Sequence, residues 1–120
     1  MKRILIATGA AAGMLTLFLA LFSSAANADL DDANALEIMK KSGCIVCHSI
    51  DKKVVGPAYK DVAQKRKDES DAAAKLKKAV RSGSKGVYGQ MPMPPNPPSK
   101  ISDADLHELM EWVLTRLAPR

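Results

Sequence analysis

The chain has 120 residues, of which 47% are hydrophobic and only 4% aromatic, with two cysteines and a formal charge of +5. This length fits one domain and excludes a second domain of ordinary size. The small excess of positive charge is too weak to indicate a nucleic-acid-binding protein. The scarcity of aromatic residues leaves a domain of this size short of core-forming side chains.

The N-terminal segment, residues 1–28, has the organisation of a secretory signal peptide. A basic start at Lys2 precedes an uncharged apolar run over residues 4–22, and small residues follow as far as Ala28. The apolar run is long enough that a retained membrane anchor is the alternative. We expect cleavage after Ala28, which leaves residues 29–120 as one exported domain.

Removal of the signal segment changes the charge of the protein only slightly. Loss of Lys2 and Arg3 leaves 16 basic residues against 13 acidic ones, a charge of +3. The signal predicts export to the periplasm, where a nucleic-acid partner is not expected. We also expect no stable membrane insertion after cleavage, because no second apolar run is long enough to span a bilayer. We expect a monomer.

Two helices are predicted in the first half of the exported domain. Asp31 and Asp32 can cap a helix over about residues 33–41, which Gly43 would end. A second helix is predicted to start at Pro57, since proline is favourable at the first helical position.

Two further helices are predicted in the second half. The third covers about residues 71–81 and stops before Gly83. In the fourth, Ser102 and Asp105 resemble a capping box, and apolar residues follow at helical spacing. The residues of this apolar stripe are Leu106, Leu109, Met110, Val113 and Leu117. No stretch alternates as a strand would, so the pattern indicates an all-α fold.

A proline-rich segment separates the third and fourth predicted helices. Five of the seven prolines lie within residues 91–98, so the backbone of this segment is stiff and extended. A long irregular loop in so small a domain is usually functional. The segment begins with two methionines, Met91 and Met93.

The two cysteines and the histidine beside them carry the clearest chemical signature. Cys44, Cys47 and His48 form Cys-x-x-Cys-His, the attachment signature of c-type haem. Two thiols one turn apart can form thioethers with the two vinyl groups of one porphyrin, and the histidine can bind the iron. A disulfide, a thioredoxin-like dithiol without its βαβ unit, and a zinc site that uses the distant His107 are weaker interpretations.

The residue types leave the sixth ligand of the iron open. Met39 and Met110 lie on apolar faces of predicted helices, where core packing is their expected role. His107 lies off the apolar stripe and is interpreted as a surface residue. Met91 and Met93 lie in the proline-rich segment, whose stiff backbone would favour a weak iron–thioether bond, and the residue types separate these two poorly.

Five segments of the chain resemble the short single-haem class I cytochromes c of bacteria. These segments, in chain order, are Cys-Ile-Val-Cys-His at 44–48, Val-Gly-Pro-Ala-Tyr-Lys-Asp-Val-Ala at 55–63, Gly-Val-Tyr-Gly at 86–89, Pro-Met-Pro-Pro-Asn at 92–96 and Glu-Trp-Val-Leu at 111–114. The resemblance implies the class I cytochrome c fold, with about four short helices around one covalently bound haem c. It also implies a soluble periplasmic carrier of single electrons that is not an enzyme.

The resemblance further implies roles for individual residues. Met93, in Pro-Met-Pro-Pro-Asn, matches the family's axial ligand opposite His48. Pro57 matches the proline whose carbonyl accepts a hydrogen bond from the proximal histidine. Asn96 matches an asparagine that hydrogen-bonds near the methionine sulfur. Tyr88 stands where the family often has a tryptophan that hydrogen-bonds a haem propionate.

Ala79 departs from the family pattern, and Met91 fills a family position with a different residue. Ala79 falls where an arginine commonly pairs with the same propionate, and Arg81 or Lys78 are the candidates to replace that arginine. Met91 takes a position that the family usually fills with another apolar residue and is therefore assigned to packing in the haem pocket.

The resemblance also implies partners. With both axial positions filled, no substrate can reach the iron, so the protein would exchange electrons with other redox proteins. The suggested acceptors are a nitrite reductase, a cytochrome c peroxidase or a terminal oxidase, and the suggested donor is a quinol-oxidising complex. Lysines at positions 52, 53, 85 and 100 predict a basic rim that would steer an acidic partner. The alternative function is a haem enzyme or gas sensor with a displaceable sixth ligand.

Overall fold

The computed structural model of the protein describes residues 29–117, so the predicted signal peptide lies outside the described residues. The elements in chain order are α1 (Asp32–Ser42), a 3₁₀ helix (Cys44–Val46), α2 (Tyr59–Arg66), α3 (Ala72–Ser82) and α4 (Asp103–Leu114). Within residues 29–117 the only β-pairing consists of isolated bridges. The predicted all-α fold is therefore confirmed. In the same range, every helix is too short or too polar to cross a membrane.

Local signals set the ends of α1 and the start of α4 as the sequence predicts. The Asp31 carboxylate accepts a hydrogen bond from the backbone N–H of Asn34 at 2.8 Å, and the Ser102 hydroxyl accepts one from the N–H of Asp105 at 3.0 Å. Gly43 ends α1 with a φ of 76°, a left-handed conformation that favours glycine. These caps act over three or four residues, which is why the sequence suffices to predict them.

Helix α2 starts two residues later than the sequence predicts. Ala58 is extended, and the helix begins at Tyr59. The backbone N–H of Tyr59 donates to the carbonyl of Ser49 at 3.0 Å, and that of Lys60 donates to the carbonyl of Ile50 at 3.1 Å. The first N–H groups of the helix are thus satisfied by the segment that follows His48, and this contact decides where α2 begins.

Helix α4 forms the centre of the core. It packs against α1, α2 and α3, and its inward face is buried, as the apolar stripe predicts. The buried residues of α4 are Leu106, Leu109, Met110, Trp112 and Val113. Leu117, the last member of the predicted stripe, is instead 46% exposed. The helix stops at Leu114, and the Thr115 hydroxyl donates to the carbonyl of Trp112 at 2.7 Å.

A carboxylate joins the start of α1 to the end of α4. Asp32 accepts hydrogen bonds from the indole Nε1 of Trp112 at 2.9 Å and from the guanidinium of Arg116 at 2.6 Å. The Arg116 guanidinium lies over the Trp112 ring, 4.5 Å from its centroid. The hydrogen bond from Trp112 and then the charge of Arg116 lower the pKa of Asp32 below its usual value.

Candidate haem site

A large, mainly apolar cavity lies between the helices and the two irregular segments that carry the sequence motifs. Its helical wall consists mainly of apolar and aromatic side chains from α2, α3 and α4. The largest of these belong to Tyr59, Val62, Leu76, Leu106, Leu109, Met110 and Val113. Cys44, Cys47, His48 and Met93 also line this cavity, so the fold brings the predicted attachment and ligand residues to one place.

The two cysteines lie on a tight turn after α1. The N–H groups of Cys47 and His48 both donate to the carbonyl of Cys44, at 3.2 and 2.9 Å. This turn places the thiols and the imidazole within one chain reversal. Both thiols are free and half-buried, as the formation of two thioethers requires.

The His48 ring is fixed by two contacts from the start of α2. Its Nδ1 lies 2.9 Å from the carbonyl oxygen of Pro57, and the ring stacks on Tyr59 with centroids 5.2 Å apart and planes inclined by 16°. When Nδ1–H donates to that carbonyl, Nε2 keeps its lone pair and is free to bind a metal.

Gly56 leaves the space that the His48 ring occupies. A Cβ at this position would lie 2.6 Å from Cε1 of His48 and 3.0 Å from Nδ1. Every residue other than glycine would therefore displace the ring or the backbone. The sequence motif contains Gly56, but only the tertiary structure shows what it approaches.

The backbone of Met93 is held against the end of α3. Its N–H donates to the carbonyl of Ser84 at 2.8 Å, and its carbonyl accepts from the N–H of Ser84 at 3.0 Å. A Cβ at Gly83 would approach the Met93 carbonyl to 2.8 Å. The N–H of Asn96 also donates to the carbonyl of Val80 at 2.9 Å. The proline-rich segment is therefore tied to Ser84 at the methionine itself and to α3 three residues further on, at Asn96.

The other residues of the proline-rich segment are placed differently. Met91 lines the cavity but is 66% exposed. The side-chain amide of Asn96 donates to the carbonyl of Pro94 at 2.9 Å. Within residues 29–117 this amide makes no hydrogen bond with the sulfur of Met93, so it orders the loop around the methionine.

The remaining candidates for a metal ligand lie in the core or on the surface. Met39 is 1% and Met110 6% exposed, and both belong to the core cluster. His107 is exposed, with Nδ1 3.5 Å from the Lys77 amine. Among the described residues, no three His, Cys, Asp or Glu side chains form a group that could hold a metal ion. A zinc site therefore has no ligand set in this part of the chain.

Two buried polar atoms of the cavity wall have no hydrogen-bond partner among the described residues. The Tyr88 hydroxyl and the Nε of Arg66 have no hydrogen-bond partner within residues 29–117, and both residues line the cavity. The sequence motifs implicate Tyr88 but not Arg66. Arg66 follows Val62 by four residues on α2, so the helical period could have placed it on the inner face.

The proposed replacements for the propionate-pairing arginine lie elsewhere. Arg81 donates to the carbonyl of Asn96 at 2.9 Å and pairs with Asp103. Neither Arg81 nor Lys78 lines the cavity, whereas Ala79 does. Of the two, Arg81 is therefore engaged outside the cavity and Lys78 is exposed.

The residues present fit a haem c. The apolar wall suits a porphyrin face, two free thiols stand beside an imidazole with its Nδ1 already bound, and the unpartnered Tyr88 and Arg66 donors suit its carboxylates.

Comparison with known proteins agrees with this chemistry. The family model described as Cytochrome c matches residues 33–116. Cytochrome c-552 of Nitrosomonas europaea is 46% identical over 103 residues, which are 85% of this chain and 98% of the relative. Cytochrome c-551 of Pseudomonas aeruginosa is 47% identical over 79 residues, 66% of this chain and 73% of the relative.

Solved structures show the same likeness. The crystal structure of Nitrosomonas europaea cytochrome c552 has a TM-score of 0.63 and 50% identity, covering 67% of this chain and 96% of that one. The class 1 cytochrome MtoD from Sideroxydans lithotrophicus has a TM-score of 0.62 and 30% identity, covering 74% and 100%. The chain therefore belongs to the cytochrome c family, as a small class I member with one covalently bound haem c that transfers electrons rather than catalysing a reaction.

Proposed function

We propose that the protein is a monomeric, periplasmic carrier of single electrons, with haem attached through Cys44 and Cys47 and iron bound by His48 and Met93. The observation that carries this proposal is that the Cys-x-x-Cys-His turn and Met93 come from separate segments and line the same cavity. When bound, the haem would supply a one-electron iron couple, and ligation by a histidine and a methionine would raise its potential.

His48 acts as a ligand whose orientation is set before it binds. The Pro57 carbonyl accepts from Nδ1 at 2.9 Å, which leaves Nε2 as the free donor atom and raises its basicity. Tyr59 stacks on one face of the ring. Because the ring is already held in place, little has to move when the electron enters or leaves. This suits an electron carrier.

Met93 is supported as the sixth ligand by the rigidity of its backbone. Its two hydrogen bonds to Ser84 fix the main chain, so little conformational entropy is lost when the weak thioether ligand binds. Met91 is 66% exposed, and no backbone hydrogen bond of Met91 comparable to those of Met93 occurs among the described residues.

The surface around the cavity supports docking of a redox partner. Lys53, Lys85 and Lys100 line the cavity and are exposed, whereas Lys52 is exposed but outside the lining. Val55 and Val87, 44% and 39% exposed, add apolar surface on the same rim. A basic rim with apolar contacts suits brief binding to an acidic partner. A nitrite reductase, a cytochrome c peroxidase or a terminal oxidase is proposed as acceptor, and a quinol-oxidising complex as donor.

Export by residues 1–28 and a domain over residues 29–120 form part of the proposal. Cleavage after Ala28 predicts an intact mass equal to that of residues 29–120 plus one haem. A mass that includes residues 1–28 would instead indicate a retained anchor. The same purified sample gives the molecular weight in solution, where a value of twice the mass would contradict the monomer.

The ligand assignment is tested by optical spectra of paired methionine variants. We expect the oxidised parent to show the weak near-infrared band of methionine-ligated ferric iron, Met93→Ala to lose it entirely, and Met91→Ala to retain it. Loss of the band in Met91→Ala alone would assign the ligand to Met91. Rapid carbon monoxide binding by the reduced parent would contradict the carrier and favour a haem enzyme or gas sensor.

A further inference from the structure

Two polar side chains in the cavity wall have donors without partners. The Nε of Arg66 and the hydroxyl of Tyr88 are both buried and, among residues 29–117, neither has a hydrogen-bond partner. Both side chains line the haem cavity. Buried polar groups are nearly always paired in native proteins, so two orphaned donors at one place indicate an acceptor that the protein itself does not supply.

Arg66 is held in place by contacts on the outer side of its guanidinium. Its Nη1 lies 3.0 Å from each oxygen of the Glu69 carboxylate, and the Lys75 amine lies 3.2 Å from the same carboxylate. The Arg66 side chain is only 17% exposed. The guanidinium is therefore held by the hydrogen bonds from Nη1 to Glu69. Its Nε–H can donate to a second acceptor.

Lys65 contacts both Tyr88 and the residue before it. The Lys65 amine lies 5.2 Å from the centre of the Tyr88 ring and 3.3 Å from the Val87 carbonyl, to which it donates. The Tyr88 oxygen is the largest cause of a raised pKa at Arg66, burial opposes it, and Glu69 adds to it. Although no hydrogen bond of acceptable geometry joins the two side chains, they are near enough to serve one ligand group.

The acceptor that this pair fits is a carboxylate. A haem carries two propionate carboxylates as its only acidic groups, and the rest of its surface suits the apolar wall. We propose that Arg66 and Tyr88 together bind one haem propionate, with Arg66 supplying the cation that Ala79 does not. The alternatives are weaker, because Arg81 is bound to Asn96 and Asp103 and Lys78 is exposed outside the lining.

This arrangement has a defined electrostatic consequence. An arginine beside a carboxylate favours its ionised form and lowers its pKa by about 1–3 units. The charged and titratable groups around the guanidinium are Lys65, Glu69, Asp71, Lys75 and Tyr88. Glu69 is the acidic group in direct contact with Arg66, and the hydrogen bond from Lys75 and then that from Arg66 lower its pKa below the usual value.

The test is the reduction potential of haem-loaded Arg66→Gln measured against pH. Protonation of a propionate raises the potential, so the potential falls as pH rises through its pKa. Loss of Arg66 should shift the pH range over which the potential falls to higher pH by about 1–3 pH units. Lys67→Gln is the matched control, because Lys67 is an exposed neighbour outside the cavity lining and its loss changes the net charge equally. The potential of Lys67→Gln should fall over the same pH range as that of the parent protein.

A profile of Arg66→Gln that matches Lys67→Gln would overturn the proposal. A second measurement uses the unaltered haem-loaded protein, so it does not depend on the variant folding. Nuclear Overhauser contacts are expected between the Arg66 side chain and the propionate methylene protons, and their absence would also refute the assignment. The proposal rests on haem in this cavity but not on the sixth ligand. If Met93 is not the iron ligand, the near-infrared band will persist in Met93→Ala, and the contacts between Arg66 and the propionate will still be observed.

Discussion

His48, the proposed proximal ligand, is held by residues eight to eleven positions further along the chain. Pro57 accepts from Nδ1 of His48, Tyr59 stacks on the ring, and Gly56 leaves the room in which the ring lies. The resemblance to the family implied the role of Pro57. The need for glycine at position 56 follows only from the folded chain, in which a Cβ there would lie 2.6 Å from Cε1 of the imidazole.

Gly56→Ala is therefore expected to disturb the iron ligation as well as the stability. The added carbon must displace the His48 ring or the backbone, so we expect an altered absorption spectrum of the haem protein and a lower melting temperature. Gly86→Ala is the control, because its Cβ meets no atom within 4 Å, although its φ of 80° is strained. The control should lose roughly 1–2 kcal/mol of folding free energy with an unchanged spectrum. Identical spectra for both variants would contradict the role of Gly56.

At the scale of helices, the ends of α1 and α4 are linked by one carboxylate. Asp32 accepts from Trp112 and Arg116, eighty or more residues away in sequence. Trp112 is 3% exposed and belongs to the core cluster. The contact therefore connects the first helix of the domain to the core, and the negative charge also lies favourably in the first turn of α1.

Asp32→Asn is expected to lower the melting temperature in a pH-dependent manner. The folded pKa of Asp32 lies below its ordinary value of 3.8, mainly because of the hydrogen bond from Trp112. Its ionised form therefore stabilises the fold above pH 3.8, and this contribution is lost as the pH falls through the folded pKa. Thermal unfolding of parent and variant should differ at neutral pH and converge in acid.

Asp68→Asn provides the control for Asp32→Asn. Asp68 is exposed, and its side chain makes no hydrogen bond within the part of the chain that the structure describes. Its removal should change the melting temperature little at any pH. A gap between parent and Asp32→Asn that stays constant from neutral to acid pH would rule out the proposed ionic contribution.

At the scale of the whole molecule, the helices enclose a cavity whose lining is mainly apolar. The core cluster contains two aromatic residues, Tyr59 and Trp112, and the helical face of the cavity consists largely of aliphatic side chains. Haem buried against that face supplies the apolar bulk that the low aromatic content leaves missing. The lysines at its rim give the proposed docking surface its positive charge.

Electron transfer with an acidic partner is expected to slow as ionic strength rises. Salt screens the attraction between the basic rim and the partner, so the second-order rate should fall. Lys85→Gln, on the rim, should reduce both the rate at low salt and its salt dependence. Lys78→Gln, exposed on α3 outside the cavity lining, should have a smaller effect in stopped-flow measurements. A rate that is independent of salt would contradict steering by the rim.

Much of the site could be predicted because its chemistry is local. Cys44, Cys47 and His48 lie within five residues, so the sequence alone predicts that these three side chains bind one haem. Resemblance separated Met93 from Met91, which residue types alone did not. Arg66 was missed because it stands between Lys65 and Lys67, and a run of basic residues is typical of an exposed surface. Its spacing from Val62 was the signal that could have placed it on the inner face of α2, where the structure buries its Nε in the cavity wall.

The sequence by itself determined the helices, their caps and the attachment motif, because capping and periodicity act over three to eleven residues. The tertiary structure decided that α2 begins at Tyr59 and that the stripe of α4 ends before Leu117. It also decided that Arg66 has a buried Nε in the wall of the cavity. The start of α2 and the placement of Arg66 depend on contacts between segments that are distant in sequence, and such contacts form only when the whole chain is packed.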